Sequence, residues 1–530
     1  MPSVITIFQH ITPAISAALF LALALLLYEN RKIEWPDLKN MGWKNLLLLG
    51  LAVACAVVLQ FFCEPKHILY IDEFWYLEAA KKILTTGWAA GYEKSIGWPV
   101  MAVAGYLAGG LNNFPPIYLD IALGLLCVPA AYLAAYAISK NRTVAAATAF
   151  TLALLPYRTV WAATAETGVA SLLFITAGVY LSFAYYRNRS LKALITASVA
   201  WACAAQIRPE NLIFLALFWL GKLLFMEKAE RRENIAFYTA LFSIAAVNAP
   251  NFTVFANFQS STNWLETDSF GKMSGASISP ANLWFNTIHW APRFFDLSMH
   301  GALFTLLFLG GAAAAFWKER KQFYFLAAWF LLMYVFYFST WFHVYGTTTD
   351  LFPKTKLFLL FYPVLGMFAG YAMAFLLSLN RIFAGAAVAL FSAAMLWNVS
   401  YAKKAHFKNA PRTLETRILS GLDKTVPEMC AIVTNSPVTV LATNFHKAVY
   451  ATPFAQNDDY AREQIISSPC IYYLSDITEE LGVTEFTTNA ALIAAKYNLS
   501  EFSVFTLRGT TYRIFKIGQK KQPSARSVNP

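Results

Sequence analysis

Apolar positions along the chain gather into long blocks that are separated by polar connections. Most blocks hold about 20 residues, the length that an α-helix needs to cross roughly 30 Å of hydrocarbon. The pattern predicts twelve membrane spans, at 12–28, 45–62, 116–138, 143–157, 167–186, 192–206, 210–226, 235–254, 301–317, 322–341, 357–378 and 382–399. A shorter, glycine-rich apolar block at 97–111 predicts a re-entrant or interfacial helix. The expected fold class is therefore an all-α polytopic membrane bundle of about 12 transmembrane helices.

Composition agrees with this prediction. Of the 530 residues, 58% are hydrophobic and 14% are charged, whereas soluble proteins average about 45–50% and about 25%. The net charge of +12 does not indicate a nucleic-acid partner, because membrane proteins collect Lys and Arg in their cytoplasmic loops. We expect no cleaved signal peptide, since nothing basic precedes the first block and no small-residue cleavage site follows it.

The distribution of Lys and Arg predicts the orientation of the bundle. The short connections on one side carry more of these residues than the longer connections on the other, so the richer side is expected to be cytoplasmic. Two long outer loops follow from this assignment, at 63–115 and 255–300. A group of cations after the last block runs against it, namely Lys403, Lys404, Lys408 and Arg412. Long domains, however, cross membranes largely regardless of their charge.

From about residue 401 the pattern changes to short β-rich runs. The runs lie at 430–434, 439–443, 448–452 and 470–475, helical stretches lie near 458–467 and 488–497, and FSVFTL and TYRIFKI suggest a closing hairpin. We expect a small extracytoplasmic α/β domain at 401–518 after a membrane domain at 1–400, and a disordered tail at 519–530. Cys430 and Cys470 each open a β-rich run, and either two buried thiols or a disulfide fits that position.

The segment LYIDEFWYLEAAKKIL at 69–84 places two carboxylates, Asp72 and Glu73, directly after a predicted span on the outer side. The apolar residues that follow recur at helical spacing, which predicts an amphipathic helix at the interface. Both carboxylates could serve that helix alone, Asp72 as its N-cap and Glu73 through the helix dipole. They could equally carry chemistry at the membrane surface.

Other ionisable residues lie at the outer ends of predicted spans. They are Lys94, Glu166, Arg208, Glu210, Lys354 and Lys356. Charges near membrane depth are costly and tend to face a bundle interior or an aqueous cavity. Each has a structural alternative: the two lysines of DLFPKTKLF could snorkel, Arg208 could pair only with Glu210, and Glu166 could cap a helix. Their common side of the membrane favours one shared pocket.

The outward Asp-Glu pair, the Lys94 segment before the glycine-rich helix and the Arg208-Pro209-Glu210 junction together resemble the GT-C glycosyltransferases. The most similar branch is that of protein O-mannosyltransferases and the aminoarabinose transferase of lipid A. The resemblance covers roughly residues 45–400. It implies an integral membrane enzyme that moves a sugar from a polyprenyl-phosphate carrier to a hydroxyl of a protein, a lipid or a glycan. It also implies the plasma (bacterial inner) membrane, an extracytoplasmic active site, and a first span that is additional to the family's pattern.

The resemblance implies roles for individual residues. Asp72 matches the catalytic base, and Glu73 would shape the donor or acceptor site. Lys94 would contact the phosphate of the carrier, although the Lys-Pro-Pro of the transferase branch is here Lys94-Ser95-Ile96. Glu166 matches an acidic residue of the second outer loop, which is more often Asp. Lys356 stands where relatives often carry a basic residue, and Arg208, Glu210 and Lys354 complete the predicted substrate-binding set.

The chemistry of such a transfer needs few groups. A sugar that is attached to a lipid phosphate departs from an acidic leaving group, so no general acid is required. A base that takes the proton of the acceptor hydroxyl contributes about 10²–10⁴-fold, and fixed cations stabilise the phosphate charge as it develops. Asp72 suits the first task, and Lys94, Arg208 and Lys356 suit the second. Direct attack opposite the phosphate predicts inversion, and one carboxylate suffices, unlike the pair in glycoside hydrolases.

This scheme requires no cofactor, although a divalent cation is compatible with it. His289 and His300 lack a spaced partner and are expected to be ordinary polar residues, so no metal site is predicted. A membrane transporter with a charged translocation path is the main alternative function. Transporters often show two related halves, and the sequence shows none. A non-catalytic membrane scaffold would leave the outward charges without a purpose.

Overall fold

The computed structural model describes residues 4–31, 42–61, 71–89, 94–110, 114–226, 229–261, 280–290, 292, 301–339, 358–379, 382, 385–386, 388–389, 392–393, 422, 425–427, 430–434, 447–474, 485–507 and 510–519. The chain divides into two compact units. The first comprises Met1–Lys66, Ala79–Gly110 and Phe114–Asn409. The second comprises His67–Glu78, Leu111–Asn113 and Ala410–Pro530.

Helices make up the described part of the chain as far as residue 379. In chain order they are α1 (Val4–Glu29), α2 (Trp43–Phe61), α3 (Ile71–Thr86), α4 (Gly97–Gly109), α5 (Phe114–Ser139), α6 (Arg142–Ala153), α7 (Pro156–Ala162), α8 (Thr167–Asn188), α9 (Leu191–Ile207), α10 (Leu215–Phe225), α11 (Arg231–Ser261), α12 (Pro280–Trp290), α13 (Gly301–Lys318), α14 (Arg320–Ser339) and α15 (Tyr362–Leu379). Two short 3-10 helices, Pro209–Phe214 and Leu359–Phe361, precede α10 and α15.

Eight helical segments of the described residues are long and apolar enough to cross a membrane. They are α1, α2, α5, α8, α11, α13, α14 and the segment Leu359–Leu379 that includes α15. Three other predicted spans correspond to shorter helices, α6, α9 and α10. The predicted span at 382–399 lies mostly outside the described residues. The all-α membrane bundle is confirmed, whereas the number of twelve spans stays a prediction.

The predicted span at 143–157 is divided into α6 and α7. Pro156 begins α7, where the N–H that proline lacks would have had no helical partner. Arg158 is fully buried, and its guanidinium donates to the carbonyl oxygens of Leu152 (2.9 Å) and Ala153 (3.4 Å) at the end of α6. The last carbonyls of a helix have no partners within it, so this arginine satisfies a helix end inside the bundle.

A second break separates α9 from α10. Arg208 ends α9 in an extended conformation, and Pro209 begins the 3-10 helix that opens the predicted span at 210–226. The side-chain amide of Asn211 donates to the carbonyl oxygen of Ala204 (2.8 Å) and to the hydroxyl of Ser171 in α8 (2.7 Å). These bonds hold the 3-10 helix against α8 and α9.

Glycines allow α15 to pack closely against its neighbours. A Cβ at Gly370 would lie 2.7 Å from the Cα of Val144 in α6, and a Cβ at Gly311 of α13 would overlap the carbonyl oxygen of Phe368. Small residues at helix contacts let backbones approach in membrane bundles, where packing and hydrogen bonds replace the hydrophobic effect as the force of association. The bundle core therefore depends on the absence of side chains at these two positions.

The part of the second unit that follows residue 410 contains a five-stranded sheet. Its elements are β1 (Ala431–Thr434), β2 (Lys447–Tyr450), α16 (Ala451–Gln456), α17 (Asp458–Ile466), β3 (Ile471–Leu474), α18 (Glu485–Lys496), β4 (Tyr497–Leu507) and β5 (Thr510–Gln519). The strand order is β2-β1-β3-β5-β4, in which β1 is parallel to β2 and β3, and β5 is antiparallel to β3 and β4. The predicted α/β fold and its closing hairpin are confirmed. The predicted run at 439–443 lies outside the described residues, and the predicted domain boundaries stay predictions.

Both faces of this sheet are covered, because successive strand residues point to opposite sides. Ile432, Tyr472 and Ile514 pack on one face, and Ala431, Val433 and Tyr473 pack on the other. Cys430 and Cys470, which precede β1 and β3, are bonded as a disulfide with a Cα–Cα distance of 4.8 Å. That distance lies within the usual range for a disulfide, so the bonded form is the one of the two alternatives that the structure contains.

Candidate active site

The predicted carboxylate pair lies in the first turn of α3, within the second unit. Because α3 begins at Ile71, Asp72 is a residue inside the helix and not its N-cap. Glu73 is fully buried, as are Tyr76 and Leu77 on the same helix. Burial of a carboxylate is costly unless the charge is compensated. Glu73 therefore lies on a packed face, which excludes the interpretation of this residue as part of a solvated surface.

Lys94 lies in the first unit, in the segment that leads into α4. It is half-buried, and the two residues after it, Ser95 and Ile96, are buried. The backbone N–H of Ile96 donates to Oδ1 of Asn251 in α11 (3.2 Å). At the next position a Cβ on Gly97 would overlap the backbone of Gln206 in α9. The Lys94 segment is thus fixed against the ends of two other helices.

Arg208 and Glu210 form an ion pair at the junction between α9 and the 3-10 helix. Nε of Arg208 donates to Oε1 of Glu210 (2.7 Å), and an Nη atom donates to the same oxygen. The two side chains are only 14% and 15% exposed. Tyr337 of α14 lies close enough to both for electrostatic interaction. The structural alternative for Arg208, pairing with Glu210, is realised in the structure, and the pair lies in a nearly enclosed position.

A network of buried amides connects these two segments. Nδ2 of Asn251 donates to the carbonyl oxygens of Ala205 (3.3 Å) and Gln206 (3.2 Å), at the end of α9. The side chain of Gln206 in turn donates to Oδ1 of Asn248 (2.7 Å) and accepts from the hydroxyl of Ser16 in α1 (2.6 Å). Helices α1, α4, α9 and α11 therefore meet at one end of the bundle.

Sequence reasoning missed this network. The available signal was the presence of Asn248, Asn251 and Gln206 within otherwise apolar helices, since amide side chains in membrane helices commonly bond across helices.

Glu166 is the N-cap residue of α8 and is fully buried. Its carboxylate accepts from the backbone N–H of Thr167 (3.3 Å), so the capping alternative is also realised. The preceding carbonyl, that of Ala165, accepts a hydrogen bond from the indole Nε1 of Trp98 (2.7 Å) in the first turn of α4. Trp98 therefore fixes the turn before Glu166 to the same helix that follows Lys94.

The first unit brings four predicted site residues around the beginning of α4. Lys94 precedes this helix directly, the Gln206 backbone that touches Gly97 is two residues from Arg208, and the carbonyl bonded to Trp98 is one residue from Glu166. Glu210 joins them through its ion pair with Arg208. Lys354, Lys356 and His300 lie outside the described residues, and so do the side chains of Asp72 and His289. In the part of the chain that the structure describes, no three His, Cys, Asp or Glu side chains are grouped to hold a metal ion.

Lys94 also lines a pocket in the first unit. The described residues around it are Gln9, Thr12, Ala89, Lys94, Ile96, Asn251 and Val254. They come from α1, from the segment between α3 and α4, and from α11. The pocket therefore adjoins the amide network, with a cation on its wall.

Comparison with known proteins identifies the architecture. No protein-family model matches the chain, and no curated protein matches it. Two solved structures match along most of its length. ArnT from Cupriavidus metallidurans bound to undecaprenyl phosphate has a TM-score of 0.55 and 14% sequence identity, over 88% of this chain and 97% of that one. The oligosaccharyltransferase of Archaeoglobus fulgidus in the apo form has a TM-score of 0.52 and 12% identity, over 91% of this chain and 75% of that one.

The chain has the GT-C fold. At these identities the likeness is one of fold, and it confirms the fold class and the superfamily that the sequence resembles. The GT-C fold extends over the membrane helices and the C-terminal unit alike, because each match covers nearly nine-tenths of the chain or more.

Proposed function

We propose that the protein is an integral-membrane, inverting glycosyltransferase. It moves a sugar from a polyprenyl-phosphate carrier to an acceptor hydroxyl of a protein, a lipid or a glycan. The observation that carries this proposal is the group of Lys94, Glu166, Arg208 and Glu210 around the beginning of α4, in a chain with the GT-C fold. Charged side chains at such a place are expensive to keep in a membrane bundle and mark function.

The nature of the donor follows from the cations and from the related structure. ArnT is described as bound to undecaprenyl phosphate, which supports a phosphate carrier for this chain. An ammonium group near a phosphate forms a charge-assisted hydrogen bond, which is stronger than one between neutral groups. Lys94 is half-buried at a pocket, so its charge would be screened less than on an open surface. Lys94 is the residue that we assign to the carrier phosphate.

The reaction is a single displacement. The acceptor oxygen gives its proton to the carboxylate of Asp72 and forms a bond to the anomeric carbon. The bond between that carbon and the phosphate oxygen breaks, and the carrier phosphate departs with the electron pair. Lys94, Arg208 and Lys356 stabilise the charge on the departing phosphate. Attack from the side opposite the phosphate inverts the anomeric configuration.

The carboxylates other than Asp72 hold the site in shape. Glu73 and Glu166 are fully buried, and Glu210 accepts both bonds from Arg208. We assign Glu210 the task of orienting the guanidinium, since a fixed cation stabilises developing charge without reorganising. Glu73 and Glu166 shape the walls of the donor or acceptor site. Lys354 completes the substrate-binding set beside Lys356, and no cofactor takes part.

The orientation in the membrane follows from one pair of helices and from the distribution of charge. Ser16 of α1 bonds to Gln206 of α9 near the site, while Asn30 of α1 bonds to Thr196 of α9 at the other end (3.1 Å). The end that holds Asn30 leads into a basic connection with Arg31 and Lys32, which favours the cytoplasmic side. The Cys430–Cys470 disulfide fits an oxidising compartment. An extracytoplasmic site in the plasma (bacterial inner) membrane accounts for both observations.

Purified protein incubated with a panel of polyprenyl-phosphate sugars tests this function. We expect loss of the sugar from one of the lipids when an acceptor is present, with an anomeric configuration in the product opposite to that of the donor. Retained configuration would contradict the single displacement. Movement of a solute across sealed vesicles without any sugar donor, and no loss of sugar from any lipid, would instead establish the transporter alternative.

A further inference from the structure

We propose that the N-terminal helix α1 forms part of the donor site, where Gln9 binds the carrier phosphate together with Lys94. This inference rests on the proposed function, because it specifies how the same phosphate is held. The sequence resemblance treats the first span as an addition to the family's pattern. The role of α1 is therefore argued only from its own contacts.

The pocket described above is built from three parts of the chain. Gln9 and Thr12 come from α1, Lys94 and Ile96 from the segment before α4, and Asn251 from α11. It encloses about 210 Å³ between side chains, including its open mouth. Among the described residues that line it there is a cation and no carboxylate. Such a lining attracts an anion, since a cleft with charges of one sign concentrates ligands of the opposite sign.

The hydrogen bonds within the pocket indicate which groups would reach a ligand. The hydroxyl of Thr12 donates to the carbonyl oxygen of Phe8 (2.6 Å) within α1. The amide of Asn251 donates to α9 and accepts from Ile96. These two side chains therefore shape the wall and position its parts. The remaining long polar side chains are Gln9 and Lys94, both half-buried. A carboxamide offers two N–H donors and an ammonium offers three, which suits phosphate oxygens.

Helix α1 is fixed firmly enough to serve as such a wall. Its Ser16 and Asn30 form side-chain hydrogen bonds to Gln206 and Thr196 of α9, at 2.6 and 3.1 Å, and both bonds are buried. One residue from Gln9, the ring of His10 stacks on that of Trp88, with ring centroids 3.6 Å apart and planes 20° apart. Contacts of this kind hold helices together in a membrane. An N-terminal helix that served only as an anchor would need none of them near Lys94.

Lipid binding to the purified full-length protein tests the inference. The two probes are undecaprenyl phosphate and undecaprenol, which differ only in the phosphate. Gln9→Leu removes the amide and keeps a side chain of similar size. We expect it to weaken binding of undecaprenyl phosphate about 10-fold or more, the effect of losing one hydrogen bond to a charged group. We expect unchanged binding of undecaprenol. The control is Thr6→Val, which changes a polar residue of α1 outside the pocket lining and should leave both affinities unchanged.

Three results would overturn the inference, and they differ in what else they overturn. Unchanged phosphate binding by Gln9→Leu, with weaker binding by Lys94→Ala, would remove α1 from the site and leave the proposed function intact. An equal loss for both lipids would show that Gln9 supports the fold of α1 and does not contact phosphate. Unchanged phosphate binding by Lys94→Ala would remove the phosphate site itself, and with it the donor site of the proposed function. Gln9→Lys provides a second measurement, because an added cation at this position should tighten binding of the phosphate lipid alone.

Discussion

Asn251 donates from its side-chain amide to the backbone carbonyl of Gln206, at 3.2 Å, two residues before Arg208. The same amide accepts from the backbone of Ile96, two residues after Lys94. One buried side chain therefore determines the positions of two segments that each carry a predicted phosphate-binding cation. Neither cation lies on α11 itself, so Asn251 acts by position and not by contact with a substrate.

Asn251→Leu tests this positioning role. The variant leaves a buried N–H and two carbonyls without their partner, and each such loss costs about 1–3 kcal/mol. We expect about a 10-fold lower kcat, because both cations would be displaced from the departing phosphate. The measurement is the separate determination of kcat and KM for the donor.

Two comparisons give this measurement its meaning. Asn251→Asp keeps the acceptor for Ile96 and should recover part of the lost rate. Thr253→Val, which changes an exposed residue of the same helix, should have no effect. Wild-type kcat in Asn251→Leu would show that the two segments hold their positions without this amide.

The Arg208–Glu210 pair allows function to be separated from stability. Arg208→Met leaves the Glu210 carboxylate without its partner in a position where the two side chains are 14% and 15% exposed. Breaking a fully buried pair costs about 3–5 kcal/mol, which is an upper bound at this exposure. The double variant Arg208→Met/Glu210→Met leaves no unpaired charge. We expect thermal unfolding in detergent to show low stability for the single variant and nearly wild-type stability for the double one.

Transfer activity should follow a different order from stability. Both Arg208 variants should lose most of their turnover, because the guanidinium is absent in each. If the stable double variant retained wild-type turnover, Arg208 would be a structural residue only, and its assignment to the phosphate would be wrong.

The Cys430–Cys470 disulfide closes a segment between residues separated by 40 positions. A disulfide stabilises typically by about 2–4 kcal/mol, mainly through the unfolded chain. We expect the Cys430→Ala/Cys470→Ala variant to unfold at a lower temperature, whereas Cys55→Ser, at a free cysteine, should not. Alkylation of the denatured wild-type protein should label these two cysteines only after reduction. Labelling of both without a reductant would show that the purified protein contains thiols at these positions.

Adjacent glycines of α13 provide a matched pair for the packing of the bundle. A Cβ at Gly311 would overlap the carbonyl oxygen of Phe368, whereas a Cβ at Gly310 would meet nothing within 4 Å. We expect Gly311→Ala to destabilise the protein by about 1–3 kcal/mol, the usual cost of overpacking. Gly310→Ala should be neutral or slightly stabilising, because alanine favours helix. Equal unfolding temperatures for the two variants would contradict the close contact between α13 and α15.

The membrane helices could be predicted from the sequence because their signal is local. Blocks of apolar residues located α1, α2 and α5 within a few residues. The same signal failed at 143–157, where Leu154 and Leu155 continue the apolar pattern across the break between α6 and α7. Pro156 was the only local mark of that break. The arginine that closes it, Arg158, bonds to carbonyls whose positions depend on the folded helices.

The site was predictable in its charges and not in its supports. Lys94, Glu166 and Arg208 stood out because charged residues are rare in a chain this apolar. Their supports are Asn251 and Trp98, whose partners Ile96 and Ala165 lie 155 and 67 positions away in sequence. No periodicity encodes such a pairing. The outer loop predicted at 255–300 also contains more helix than its composition indicated, since α11 runs to Ser261 and α12 spans Pro280–Trp290.

The catalytic assignment of Asp72 is the central claim. Asp72→Asn removes the base and keeps the size of the side chain, so the variant should fold normally and bind undecaprenyl phosphate as the wild type does. Glu78→Gln, on the same helix, is the matched control and should retain full activity. The decisive measurement is the single-turnover rate of sugar transfer from the polyprenyl-phosphate donor. The account predicts a rate about 10²–10⁴-fold lower in Asp72→Asn, and a wild-type rate in that variant would contradict it.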